Sequence, residues 1–498
     1  MDTTATGNRQ KNKKTMASLK SLAKDTAIYG LSSIVGRFLN YLLVPLYTAK
    51  MSAESGGYGI ITNMYAYTAL LLVILTYGME TTFFRYANKE GEDARRVYST
   101  TLWMVGATSV LFVALILAFI QPVSTFMGYA NHPSYVWVMA ATVAIDAFQC
   151  IPFAYLRYQK RPIKFAALKL LFIVLNITLN LLYYVVLRGT EVGYAFYINL
   201  ACTGSITFCF WKELRGFGAG FDPALARRML SYSWPILILG IAGILNQTAD
   251  KILFPYLYKA GNAHSELGIY GAASKIAMIM AMITQAFRYA YEPFVFGKAK
   301  DKDNLDTYAK AMKYFLIFTL LAFLCVVGYM DVLRHIIGRD YWPGLRVVPI
   351  VMAAEIMMGI YFNLSFWYKL TDKTIWGAVF SGVGCLVLVG INVVFVPRYS
   401  YMACAWAGFA GYATAMLLSY VVGQRKFPIN YPVGQMAVYV ALAAVLFAAM
   451  SWANDTLGTV AALGVNTLLI AIFVAYTAMK DLRHVRKSHS HEPSTKES

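Results

Sequence analysis

A chain of 498 residues that is 58% hydrophobic and only 14% charged cannot fold as an ordinary soluble domain, and it reads as a polytopic membrane protein. The net charge of +19 does not imply nucleic acid as a partner, because the lysines and arginines fall in short loops between apolar runs, where they set membrane orientation. All six cysteines sit inside apolar runs without metal-ligand spacing, so they read as packing residues.

The first 23 residues are a basic polar tail with no small-residue cleavage site, which is expected to be retained. Fourteen apolar runs follow, each near the ~20 residues that cross a ~30 Å hydrocarbon core. They cover 24–49, 57–83, 99–120, 135–156, 165–187, 192–211, 230–256, 267–290, 308–330, 345–367, 374–396, 402–422, 433–452 and 457–479, and are numbered spans 1 to 14. The expected fold is all-α with about fourteen transmembrane helices. An even number puts both termini on one side. Lysines and arginines divide 33 to 7 between the two sides of this ladder, with Arg37, Lys169, Lys251 and Lys275 inside spans. The basic side, which carries both tails, is therefore expected to be cytoplasmic. Residues 481–498 read as a disordered tail.

Spans 1–2 and 7–8 are two versions of one hairpin. Pro45 matches Pro255, Gly59-Ile60 matches Gly268-Ile269, and Glu80 matches Glu292, all offset by roughly 210 residues. Six spans per copy preserve orientation, so the copies are expected to be parallel repeats about an axis along the membrane normal. The expected organisation is tail 1–23, N-lobe 24–220, C-lobe 221–426, spans 13–14 at 427–480, and tail 481–498.

Charges inside membrane spans are the first candidates for function. Arg37 lies at mid-depth in span 1 and shares a polar face with Asn40 and Tyr47; its planar guanidinium suits an anionic group such as phosphate, the rival role being a cross-helix bridge. Asp250 on span 7 and Lys275 on span 8 lie at matched depth, about 12 Å from the external end, where they can pair. Lys251 is expected to point about 100° away from Asp250, lining a cavity or snorkelling outward. Asp146 on span 4 and Glu355 on span 10 are buried carboxylates without a partner assignable from sequence. Glu80 and Arg85 with Arg288 and Glu292 occupy matching ends of spans 2 and 8, as a charge latch or as snorkelling loop ends. Substrate binding is thus expected at Arg37, Asn40, Gln247 and Lys251, and coupling or gating at the remaining charges. No phosphate-cradling GxxxxGK[ST], no HExxH and no nucleophile-base pair is present, so neither an enzyme, an ATP-driven pump nor a cofactor is expected.

The segments VGRFLNYLLVPLYT, YGMETTFFRYANKEG, NQTADKILFPYL, LGIYGAASKIA and QAFRYAYEPFVF resemble the polysaccharide-transporter branch of the MOP superfamily, the Wzx-type flippases of lipid-linked oligosaccharide. The resemblance implies two six-span lobes in a V around a central cavity that opens alternately to either side. Spans 13 and 14 look like the extra pair of lipid II flippases, which helps form a groove for the lipid tail. The implied function is to flip a polyprenyl-pyrophosphate-linked oligosaccharide across the bacterial inner membrane, without ATP hydrolysis, for O-antigen, capsule or exopolysaccharide synthesis. Implied partners are that substrate, membrane lipid, a polysaccharide polymerase and a chain-length regulator. The alternatives are a cation-coupled exporter of small drugs or metabolites, and a scaffold of a polysaccharide-assembly complex.

Overall fold

The computed structural model describes residues 41–297, 304–371 and 373–489, and every described regular element in it is helical. Twelve helices are long and apolar enough to cross a membrane. They fall where spans 2–5 and 7–14 were expected, from Gly57–Ala87 to Thr459–Lys480, so the chain is a multi-pass membrane protein. Span 1 lies mostly before residue 41, outside the described residues, and its end is the helix Leu43–Lys50. Span 6 is the helix Gly193–Phe208, only 16 residues long. The apolar run continues beyond it, but Phe208 and Trp211 stand 82% and 68% exposed where the chain turns, as aromatic residues do at a membrane interface.

Local chemistry sets the helix ends. The carboxylate of Asp222 accepts from the backbone N–H groups of Ala224 and Leu225, each at 3.0 Å, and Pro223 takes the first position of span 7. Asp93 caps span 3 in the same way. Span 2 breaks at Tyr77 and Gly78, where φ is 31° and 72°. A β-carbon on Gly78 would lie 2.8 Å from Ile236 of span 7, so glycine serves both the left-handed backbone and the close approach. The helix restarts at Met79 and places Glu80 in its first turn.

Packing divides the chain into two compact units, residues 1–268 and 269–498, with the division inside span 8. The boundary expected at 220/221 rests on sequence matches, whereas the units record packing: span 7 packs on span 2 in the first unit. In that unit Met79, Phe83, Val97, Leu102, Ile151 and Met229 knit spans 2, 3, 4 and 7 into one core, and Phe153, Leu168, Ile206 and Phe210 join spans 4, 5 and 6. In the second unit Tyr361, Trp367, Tyr368, Phe380 and Ala415 join spans 10, 11 and 12. Spans 13 and 14 pack on span 9, where Asn466 donates to the Gly328 carbonyl and to Asn454 Oδ1, each at 2.8 Å. Between lipid-exposed helices such interhelical bonds and small-residue contacts hold the assembly, because apolar burial gains little against hydrocarbon.

Candidate functional site

The first constellation fills the interior of the first unit. On span 4, Asp146, Gln149, Cys150, Phe153 and Arg157 follow at i, i+3, i+4, i+7 and i+11, one face over three turns. The restarted helix of span 2 brings Glu80 to that face. Arg157 forms an ion pair with one Glu80 oxygen, and the Cys150 thiol donates to the other at 2.9 Å. Lys169 of span 5 lays its ammonium 4.0 Å from the centre of the Phe153 ring. It couples electrostatically to Asp146, Glu80 and Arg157. Gln149 ties span 4 to span 6, donating to the Thr203 carbonyl at 2.7 Å and Thr207 Oγ1 at 2.8 Å. On span 5, Asn180 accepts from the Tyr47 hydroxyl and donates to the Asn176 carbonyl, each at 2.8 Å. Two carboxylates and two cations therefore sit along facing helices as a formally neutral set, in which any single protonation leaves a charge for its neighbours to absorb.

A second constellation joins the two hairpins within the same unit. Asn63 of span 2 donates to the Lys251 carbonyl of span 7 at 2.8 Å and accepts from Tyr129 at 2.8 Å. The hydroxyls of Tyr67 and Tyr256 lie 2.7 Å apart. A β-carbon on Gly59 would fall 1.7 Å from the His264 carbonyl and 3.0 Å from the Gly268 nitrogen, so the two helices touch backbone to backbone there. At the loop, Asn262 donates to the Glu54 carbonyl at 3.0 Å.

The expected site residues distribute as follows. Arg37 and Asn40 lie outside the described residues, as does the side chain of Glu292. Asp250 is buried, and Lys251 curls back onto it, with its ammonium 2.9 and 3.0 Å from the carboxylate oxygens and 3.1 Å from the Gln247 carbonyl. The side chain of Lys251 thus departs from the outward direction expected for it, because four methylenes span the 100° between neighbouring positions. Gln247 is exposed. Lys275 and Glu355 are half-buried in the second unit. Glu80 is engaged by Arg157, while Arg85 is exposed with its guanidinium 4.2 Å from the Tyr232 ring centre. Arg288 stacks on Phe362 at 4.8 Å. Asp146 lies within electrostatic reach of Lys169, a neighbour that sequence did not assign. Arg157, Cys150, Asn63 and Tyr129 were missed. Arg157 reads as a loop-end charge that sets topology, and its i+11 spacing from Asp146 was the signal that placed it on the functional face.

A family described as polysaccharide biosynthesis protein matches residues 22–290, more than half of the chain. The chain belongs to that family. The match covers both constellations and the whole of the first hairpin. A search of the curated proteins finds none that matches. Among solved structures, the family member described here is similar to the lipid II flippase MurJ in an inward closed conformation, with a TM-score of 0.70, 14% identity, and coverage of 91% of this chain and 99% of that one. It is also similar to a multidrug resistance MATE family transporter of the MOP superfamily in an inward-facing conformation, with a TM-score of 0.63, 14% identity and coverage of 80% and 94%. The MATE multidrug transporter DinF-BH gives a TM-score of 0.59 at 15% identity, covering 82% and 96%. At these identities the likeness concerns the fold, which is that of MOP-type transporters. The comparison proteins are transporters.

Proposed function

We propose that the protein flips a polyprenyl-pyrophosphate-linked oligosaccharide from the cytoplasmic to the external leaflet of a bacterial inner membrane, by alternating access and without ATP hydrolysis. The family match carries this reading. The physical need is clear: each charge or unpaired hydroxyl taken into hydrocarbon costs several kcal/mol, so the headgroup requires a polar path while its tail stays in lipid. The lobes are 24–220 and 221–426, and Arg37, Asn40, Gln247 and Lys251 meet the headgroup. Asp146, Glu80, Asp250, Lys275 and Glu355 carry coupling, and Arg85, Arg288 and Glu292 act at the cytoplasmic mouth. The product would serve O-antigen, capsule or exopolysaccharide synthesis alongside a polymerase and a chain-length regulator. The Asp146, Lys169, Glu80 and Arg157 set also favours a second reading, a cation-coupled exporter of small molecules, because a buried carboxylate beside a cation can exchange a proton.

The deciding experiment is expression-normalised complementation of a flippase-null strain. Arg37→Ala is expected to abolish surface polysaccharide at normal protein level, and Arg37→Lys to rescue in part, because an ammonium keeps the charge and loses the two-pronged fork. Full activity per folded molecule in Arg37→Ala removes the residue from the mechanism, and failure of the wild-type chain to complement while it exports a cationic dye favours the exporter. Orientation is checked by single-cysteine labelling of spheroplasts, which should succeed at Asn262 and fail at Lys302.

A further inference from the structure

On the basic side of the membrane the first unit carries a groove of about 1130 Å³ lined by spans 2, 3 and 7 and by the segment that leads into span 7. Its wall is nearly all apolar, with Ile74, Trp103, Phe217, Phe221, Trp234 and Leu237 prominent. Trp103 and Trp234 are 47% and 63% exposed, so the groove is open along its length. At this depth an open apolar groove is filled by hydrocarbon, since water there would face no hydrogen-bonding partners.

The rim of the groove has the opposite character. Arg96 lies seven residues before Trp103 on span 3, and Arg227 lies seven residues before Trp234 on span 7. Seven residues are two turns, about 10 Å, so each arginine stands on the tryptophan's own face, above the groove towards the headgroups. Arg227 also stands at i−3 and i−4 from the lining residues Leu230 and Ser231. Arg96 is fixed at the rim: its Nε lies 3.3 Å from Asp222, the residue after the lining Phe221, and its side chain is still 58% exposed. Ser99 and Thr100 bond to Phe217 and Asp222, locking span 3 to the segment beneath the rim.

We propose that this groove binds an anionic phospholipid of the leaflet on the basic side, with its phosphate on Arg227 and Arg96 and an acyl chain along Trp103, Phe221 and Trp234. Two arginines on planar, weakly hydrated guanidinium forks suit a phosphate, and the aromatic wall suits a flexible chain. The hydroxyls of the lining, on Tyr77, Thr108, Ser231 and Ser233, are too few to match an oligosaccharide headgroup, which argues for a resident lipid over the transported one.

The test uses the full chain reconstituted in vesicles with a phosphatidylglycerol bearing a diazirine on one acyl chain, and a phosphatidylcholine with the same chain for comparison. Peptides covering 103–108 and 230–237 should take up the phosphatidylglycerol label preferentially, and Arg227→Gln should lower that uptake about fivefold while leaving the phosphatidylcholine label unchanged. Ala107→Trp, an exposed position that fills the groove without touching either arginine, should remove labelling by both lipids while the protein stays monodisperse. Equal labelling by the two lipids overturns the proposal, as does indifference to Arg227→Gln or to Ala107→Trp. Displacement of phosphatidylglycerol by substoichiometric polyprenyl phosphate also overturns it, because the groove would then belong to the substrate's carrier.

Discussion

Spans 5 and 6 of the first unit and spans 11 and 12 of the second, which the expected repeat of roughly 210 residues would make counterparts, have different interiors. Spans 11 and 12 contain no Lys, Arg, Asp or Glu from 375 to 397 or from 401 to 424. They pack backbone against backbone: a β-carbon on Gly384 would lie 2.7 Å from the Gly411 carbonyl, and one on Gly411 would lie 2.8 Å from that of Gly384. Span 5 instead carries Lys169, Asn176 and Asn180, and Gly204 of span 6 has nothing within 4 Å of its β-position. One pair is built for close fit and the other for polar chemistry. Close fit resists rearrangement, because packed interfaces change in steps rather than by continuous deformation. The first pair thus keeps polar side chains where the second is closed by its own backbones.

Three pairs of substitutions press on that contrast. The largest effect is expected from Gly411→Leu, which drives a side chain into the Gly384 backbone and should cost ~3 kcal/mol or more. Gly204→Leu should stay within about 0.5 kcal/mol. Thermal unfolding of the two purified variants checks this, and equal losses would erase the packing difference. Next come Asp146→Asn and Lys169→Met. Each should lower transport at least tenfold, with a stability loss of about 1–3 kcal/mol, because each leaves the other group's charge uncompensated. The double variant should lose less stability than the sum of the singles. Wild-type transport by Asp146→Asn would make the charged interior structural. The smallest effect compares two fully buried asparagines, one in each unit. Asn180→Leu strands the Tyr47 hydroxyl and should cost about 1–2 kcal/mol. Among the described residues Asn392 Oδ1 has no hydrogen-bond partner, so Asn392→Leu should be neutral or slightly stabilising by the same measurement.

Span positions were legible because hydrophobicity over some 20 residues is a one-dimensional signal that needs no knowledge of neighbours. The close approach of Gly59 to Gly268 falls at two positions that the expected repeat equates. Partnerships between helices were not. The Asp146 and Lys169 coupling depends on the relative depth and rotation of two spans, which neither segment encodes alone. Arg157 was hidden by context: a cation at a span end is normally a topological marker, and only the Gly78 break, which redirects Glu80, gives it a partner. The end of span 6 was overrun because Phe208 to Trp211 are as apolar as the helix before them.

The shortness of span 6 has its own consequence for the surrounding lipid. Sixteen residues rise only ~24 Å, about 6 Å less than a typical hydrocarbon core. Tyr194 and Tyr197 at one end and Trp211 just past the other are exposed and hold that helix between two aromatic girdles. The membrane meets a short span by thinning, at a cost of a fraction of a kcal/mol per Å. Bilayer thickness therefore becomes a variable of this protein: a thin patch is expected beside spans 4 to 6, and longer-chain lipids should strain the face of the protein that carries its charged interior.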